Sequence, residues 1–321
     1  MPIKILKSNE QSIKKAAEII KKGGLVIFPT ETVYGLGADA FNEKAVAKIF
    51  EVKKRPKFDP IIVHIADINS LKLLATNIPP VALKLIEKFW PGPLTIVIPK
   101  RKGVPEIVTA GLPTVAVRMP SHPVALKLIK NSQTPIAAPS ANIFGKLSPT
   151  EPSHIIKEFK NSVDLIIDNG KTPIGVESTV ISFLDKPVIL RPGGVTIEEI
   201  EKVIGKVEIK NTSENPISPG QFKTHYAPNK KLKIINSLSD LKNIKKENAG
   251  FLAFKKRKNI KGFKKIEFLS KNGNLNEAAC NLFSALHKLQ NSDVDIIYVE
   301  AVPQKGLGLA IMDRLKKAET K

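Results

Sequence analysis

Residues able to hold a polyanion against a small polar molecule are concentrated between Phe28 and His64. An apolar run, Leu25-Val26-Ile27-Phe28, breaks at Pro29 and leads into Thr30, Glu31 and Thr32, then Gly35 and Gly37. Asn42 is placed to cap a helix that ends in Lys53, Lys54 and Arg55, where Pro56 prevents its continuation. His64 follows inside an apolar stretch. Cations in a last helical turn are the ordinary complement of the helix dipole, but that reading leaves the hydroxyls, the glycines and the histidine unexplained. Three more patterns put polar groups just beyond apolar strands: Ser140 and Asn142 after PIAAP, Ser178 and Thr179 opening ESTV, and Arg191 before Pro192-Gly193-Gly194. Each alone suits a turn or a cap. Together with Lys53, Arg55, His64 and Arg118 they mark the strand-end loops where α/β proteins build sites.

The absences narrow the chemistry. Neither the P-loop pattern nor the glycine fingerprint of dinucleotide-binding folds occurs, and HExxH and GxSxG are missing too. A nucleotide site here must rely on Arg, Lys, hydroxyls and backbone amides. No nucleophile with an obvious base stands out, which leaves direct reaction between two bound substrates, aided by positioning and charge neutralisation.

The elements that must carry these groups mix strand and helix. Residues 9–22 read as an amphipathic helix with Ile13, Ala16, Ala17 and Ile20 on one face. Strands are expected at 25–29, 60–66, 94–98, 114–120 and 135–142, and helices from Pro80 to Trp90, over 123–131 and from Pro152. Thr196, Glu199 and Gly205 predict a helix with a capping box and a glycine stop. This predicts an α/β unit with a mixed sheet over residues 1–210. Residues 211–231, with three prolines and one glycine, read as a linker; a structureless connection of that length is usually functional or disordered. Residues 232–321 repeat strands and helices, with a long helix near 275–290, as a smaller α/β domain of Rossmann-like character.

Composition sets the outer bounds. Lys and Arg number 51 against 30 Asp and Glu, a net charge of +21. That favours an anionic partner, although lysines spread along the chain also suit a lysine-rich proteome. Cys280 is the only cysteine, so no intramolecular disulfide and no Cys-based zinc cluster is expected. No run approaches a membrane span, and MPIKILKSNEQ lacks the long apolar centre of a secretory signal. A cytoplasmic setting is expected.

Seven motifs occur in order over residues 25–194: FPTETVYGLG, KKRPKFDPIIVH, FWPGPLT, VAVRMP, APSAN with SPT, ESTV, and RPGG. They closely resemble the YrdC-like threonylcarbamoyl-AMP synthase family, and SPGQFKTHYAP with GLGLAIMDRL resembles its two-domain branch. The resemblance implies a YrdC-like catalytic domain with a twisted mixed sheet (1–210), an active-site lid (211–231) and a C-terminal Rossmann-like domain (232–321). It implies a nucleotidyltransferase joining L-threonine, bicarbonate and ATP into threonylcarbamoyl-AMP and pyrophosphate, with Mg²⁺ accompanying ATP. The product would pass to the tRNA threonylcarbamoyl transferase machinery.

Carried over by motif, Lys53 and Arg55 are the expected catalytic cations. Arg55, Asp59, Thr114, Ser140, Asn142, Ser148, Arg191, His225 and Tyr226 are expected around ATP, and Thr32, His64, Arg118, Ala138 and Ser178 around threonine. Arg118 would pair with the amino-acid carboxylate. No metal ligand is assigned, and Tyr34 stays between pocket and core. Asp59 stands where the family usually has Asn, and Phe144 and Ser182 also depart from its pattern; these differences are expected to tune the pocket. The competing expectation is a non-catalytic double-stranded RNA- or tRNA-binding factor, for which the net charge and Lys255-Lys256-Arg257-Lys258 would supply weak RNA binding. A carbamoyl-transfer role like that of hydrogenase-maturation proteins lacks the cysteines and length for their extra modules.

Overall fold

Local chemistry starts the helices. Asn9 and Ser12 cap Glu10–Lys21 reciprocally, and the buried Ile13, Ala16, Ala17 and Ile20 of that helix join one apolar cluster with Val124, Ala125, Leu128 and Ile129 of Pro123–Ser132. Asn42 caps Glu43–Lys53. Thr196 and Glu199 form the expected capping box on Ile197–Ile204, which stops at Gly205. The computed structural model describes residues 3–159, 162–213, 216–257 and 260–319.

An eleven-stranded mixed sheet carries the first unit. Its strands lie in the order Lys4–Lys7, Leu165–Asp168, Val26–Phe28, Gly35–Asp39, Ile136–Ala137, Ile62–His64, Thr114–Arg118, Leu94–Pro99, Thr179–Ser182, Val188–Arg191 and Glu208–Ile209. One line of register partners crosses six of them: Ile136, His64, Arg118, Thr95, Val180 and Arg191. Residues far apart in the chain are thereby brought to one level of the sheet.

Some elements differ from expectation. Gly35–Asp39, read as the continuation of a polar turn, is a strand antiparallel to Val26–Phe28. Its glycines serve close packing: a Cβ on Gly37 would stand 2.6 Å from the Phe28 ring and 2.8 Å from Ile136. The strand expected over 135–142 is regular only at Ile136–Ala137, with a further isolated bridge from Ser140 to Gly35, because Pro135 and Pro139 lack the N–H that would make the ladder continuous. Beyond Pro152 the chain makes a 3₁₀ turn, Pro152–His154, then a single helical turn, Ile156–Phe159. Lys4–Lys7, half lysine and mostly exposed, was not expected as a strand but lies along the sheet edge.

The second unit has four parallel strands in the order Lys231–Ile235, Ile296–Glu300, Ala249–Lys255 and Lys265–Ser270. Helices Leu275–Gln290 and Leu307–Glu319 share its core. Val33, Leu147 and Val176 of the first unit and Tyr226 of the linker belong to that same apolar cluster, so the units dock through dry surface. In the basic stretch that suggested RNA, Arg257 pairs with Glu300 at 2.7 Å, and Lys258 lies outside the described residues. No described helix is long and apolar enough to cross a membrane.

His154 and His287 stack across this junction with ring centroids 3.8 Å apart. Burial, then Lys171 and Lys288, hold His154 down to about 4; burial and its neighbour His154 hold His287 down to about 3. Glu151, 3.0 Å from His154 Nε2, opposes the shift of His287 only in part. Both rings stay neutral where an unfolded histidine, near 6.5, would take up a proton. Stability from the pair is therefore complete above about pH 6.5 and is lost as pH falls toward 4. Urea unfolding of His287→Phe is expected to weaken less between those pH values than the parent; equal slopes would reject this role.

Candidate active site

His64, Arg118 and Arg191 of that sheet line open onto one cavity, which also takes residues from five loops. Thr32, His64, Arg118, Ala138 and Ser178, expected around threonine, all line it, as do Arg55, Ser140, Arg191, His225 and Tyr226 from the nucleotide set. It encloses only about 50 Å³.

Arg118 is held from three sides. Its Nη2 lies 2.6 Å from Glu31 Oε1, its Nη1 donates to Thr32 Oγ1 at 2.9 Å, and its Nε donates to the Gly92 carbonyl. Beside it, burial first and Arg118 second push His64 down to about 3, so its imidazole is neutral at pH 7. His64 Nδ1 has no hydrogen-bond partner among the described residues. Ser178 Oγ meets Thr95 Oγ1 at 2.7 Å and accepts from Arg191 Nη2 at 3.1 Å. Arg191 also donates through Nε and Nη2 to the Ser178 carbonyl, and through Nη1 to the carbonyl of Pro219 in the linker.

Arg55 leaves its helix through Lys54, whose left-handed backbone (φ 53°) ends the element. Its Nε and Nη2 donate to the carbonyls of Asp59 and Pro60, and Nη2 lies 2.8 Å from the Asp59 carboxylate. Burial pushes Asp59 up to about 6 although Arg55 and Lys53 pull the other way. Neither Asp59 oxygen has a hydrogen bond among the described residues.

Lys53 departs from its expected place on the phosphates. Its buried ammonium donates to the backbone carbonyls of Ser140 and Asn142 and does not line the cavity. Burial, then the charge of Arg55, hold its pKa well below the ordinary lysine value. A helix-terminal lysine can point outward or fold under the neighbouring loop, and here the loop's carbonyls capture it. Asn142 likewise faces the loop, donating to the Ile143 and Lys146 carbonyls and accepting from Ser140 Oγ. Ser148 is fully buried and donates to Glu177. Thr114 sits opposite Pro99, at the other end of its strand from Arg118. Tyr34 both lines the cavity and packs into the first unit's apolar cluster, its hydroxyl donating to the Gly170 carbonyl at 2.8 Å.

Sequence reasoning passed over Glu31 and Glu177, the buried carboxylates of the TET and ESTV motifs. A charged residue between two threonines, or beside the serine of a strand-opening motif, was the available signal. Gly220 was missed as well. A Cβ there would stand 2.7 Å from Arg191 Cδ and 2.8 Å from the Tyr226 hydroxyl.

Pro219, Gly220, His225 and Tyr226 of the linker also line the cavity. Tyr226 adopts a left-handed backbone (φ 60°), and the His225 ring packs against Tyr226 at 4.1 Å and Phe144 at 5.5 Å. Phe222 touches Phe58 at 5.9 Å and Phe144 at 5.7 Å. Lys317 Nζ donates to the Gly220 carbonyl at 2.7 Å and the Asn211 carbonyl at 3.0 Å, while its own carbonyl accepts from His225 N.

The family described as Telomere recombination matches residues 18–193, and that described as Threonylcarbamoyl-AMP synthase, C-terminal domain, matches 195–319. A threonylcarbamoyl-AMP synthase of Pyrococcus abyssi is 48% identical over 320 residues, covering 96% of this chain and 94% of that protein. The chain belongs to the threonylcarbamoyl-AMP synthase family. The Bacillus subtilis threonylcarbamoyl-AMP synthase is 44% identical over 326 residues, covering 98% of this chain and 94% of its own. The crystal structure of P. abyssi Sua5 complexed with L-threonine matches with a TM-score of 0.91 at 44% identity, covering 99% of this chain and 96% of the other. In this synthase-family cavity Thr32, Ser140 and Ser178 hydrogen-bond to other polar side chains, namely Thr30 and Arg118, Asn142, and Thr95 and Arg191.

Proposed function

We propose that this chain makes threonylcarbamoyl-AMP from L-threonine, bicarbonate and ATP, releasing pyrophosphate, as the first step toward a threonylcarbamoyl group on tRNA. The observation that carries the reading is one buried cavity holding Arg55, Arg118, Arg191, a neutral His64 and hydroxyls already committed as hydrogen-bond partners. That set binds two anionic reactants and supplies no attacking side chain. The threonine amine would capture bicarbonate carbon as a carbamate with loss of water. A carbamate oxygen would then bond to the α-phosphorus as the bridge to the β-phosphate breaks. Both partners are anions, so fixed guanidinium groups lower the barrier by offsetting their repulsion.

Arg118 would exchange its Glu31 contact for the threonine carboxylate, with Thr32, His64 and Ser178 around the hydroxyl and carbamate. Arg55, Arg191 and Ser140 would meet the triphosphate, and Lys53 would hold the Ser140 loop in place. Mg²⁺ would be held chiefly by phosphate oxygens, as is usual for this ion, and supply further charge neutralisation. Asp59 is fully buried against Arg55 at 2.8 Å and does not line the cavity, so no protein ligand is assigned to the ion. About 50 Å³ is far below the ~300–1,000 Å³ of ligand pockets, so the His225–Tyr226 segment must lift to admit ATP and settle to exclude water. The labile product would pass directly to the tRNA-modifying transferase machinery.

Purified protein is expected to release pyrophosphate only when threonine, bicarbonate and ATP are all present. Release that ignores threonine would count against the assignment.

A further inference from the structure

Arg314 belongs to the last helix of the second unit, yet its polar contacts reach the first. It is 1% exposed. Its Nε donates to Glu177 Oε2 at 2.9 Å, and its Nη1 donates to the Pro192 carbonyl at 2.6 Å and to Asp313 Oδ2 at 2.7 Å. The guanidinium carbon lies 5.2 Å from the centroid of the Tyr226 ring. One side chain thus ties together the ESTV motif, the RPGG turn and the linker.

We propose that Arg314 is a positioning residue through which the C-terminal domain holds the linker closed over the cavity; this rests on the function proposed above. Three effects converge on it. Glu177 lines the cavity and is buried, so without a cation it would place an unpaired anion beside an incoming triphosphate. The Pro192 carbonyl would lose its donor, freeing the turn that follows Arg191. Tyr226 would lose the flat cationic surface on which its ring rests. A lysine could not replace all three contacts, because only a guanidinium offers a planar fork and a stacking face together. One turn further along the same helix, Lys317 holds the Gly220 carbonyl, so the linker is gripped at two points from one element.

The test pairs Arg314→Met with Glu177→Gln in the full-length chain, so that no buried charge is stranded. Lys316→Ala, an exposed neighbour on the same helix, is the control. Tyr226→Leu, which leaves the ion pair in place, serves as a second variant should the double one fail to fold. Trypsin cleavage within the linker, at the exposed Lys223, is followed by mass spectrometry. Pyrophosphate release is measured against ATP concentration. Loss of a charged hydrogen-bond partner predicts linker cleavage about tenfold faster or more. The KM for ATP should rise by a similar factor while kcat falls less, and the control should match the parent. Cleavage of the altered chain at the parent rate overturns the proposal whatever the activity. An inactive parent would overturn the proposed reaction and leave the cleavage rates to judge the clamp.

Discussion

Arg55→Ala is expected to lower threonine-dependent pyrophosphate release at least about a hundredfold, the scale on which removing a preorganised charge acts. Arg55 is preorganised because the Asp59 and Pro60 carbonyls fix its fork before any nucleotide arrives. Its removal has a second effect. Asp59, fully buried and without a hydrogen bond, loses its nearest cation. Breaking a buried pair in this way destabilises by about 3–5 kcal/mol. The penalty has a pH signature: Asp59 already titrates near 6 and would move higher without Arg55, so the variant loses most stability at alkaline pH and recovers as the carboxylate protonates. Adding Asp59→Asn should restore folding, measured by urea unfolding, but not turnover. A single variant with parental turnover would remove Arg55 from the phosphate site.

Gly193→Ala should damage fold and site together. A Cβ there would lie 2.3 Å from Ser178 C and 2.4 Å from both Glu177 O and Thr179 N. These are backbone atoms of the ESTV motif and cannot swing aside as a side chain would. Overpacking against backbone is expected to destabilise by about 3 kcal/mol or more, and to displace Ser178 and Glu177 so that little turnover survives. Gly205→Ala is the comparison. It has φ +79° with ψ −173°, which side-chain-bearing residues avoid, but nothing within 4 Å of the added atom, so backbone strain of about 1–3 kcal/mol is the whole cost. Thermal unfolding of the two variants side by side checks both numbers; equal losses would mean that crowding at Gly193 is not the cause.

The sequence disclosed what depends on near neighbours. Caps at Asn42 and Thr196, with the glycine stop at 205, follow from residues a few positions apart, and the structure has them. The Gly35–Asp39 strand was hidden because its glycines answer to Phe28 and Ile136, contacts that no local propensity encodes. Among site residues, Arg118 and His64 could be named from their motifs, but only parallel register makes them partners. Lys53 was visible as a charge, whereas its direction depends on two carbonyls nearly ninety positions away. Arg314 lies in the GLGLAIMDRL motif, but its role could not be read there, since its carboxylate partner lies 137 positions earlier in another domain. Motifs therefore named most of the polar groups that line the cavity, and tertiary packing decided which of them face inward.

The trio Phe58, Phe144 and Phe222 carries a kinetic consequence. Their edge-to-face contacts join the linker to two loops of the first unit, so each lifting of the proposed lid would bathe more of their aromatic surface in water. Such wetting is uphill, which would make the shut form the resting one and traffic in either direction an activated event. A reactive anhydride formed behind the seam would therefore wait on the hinge before it meets the solvent.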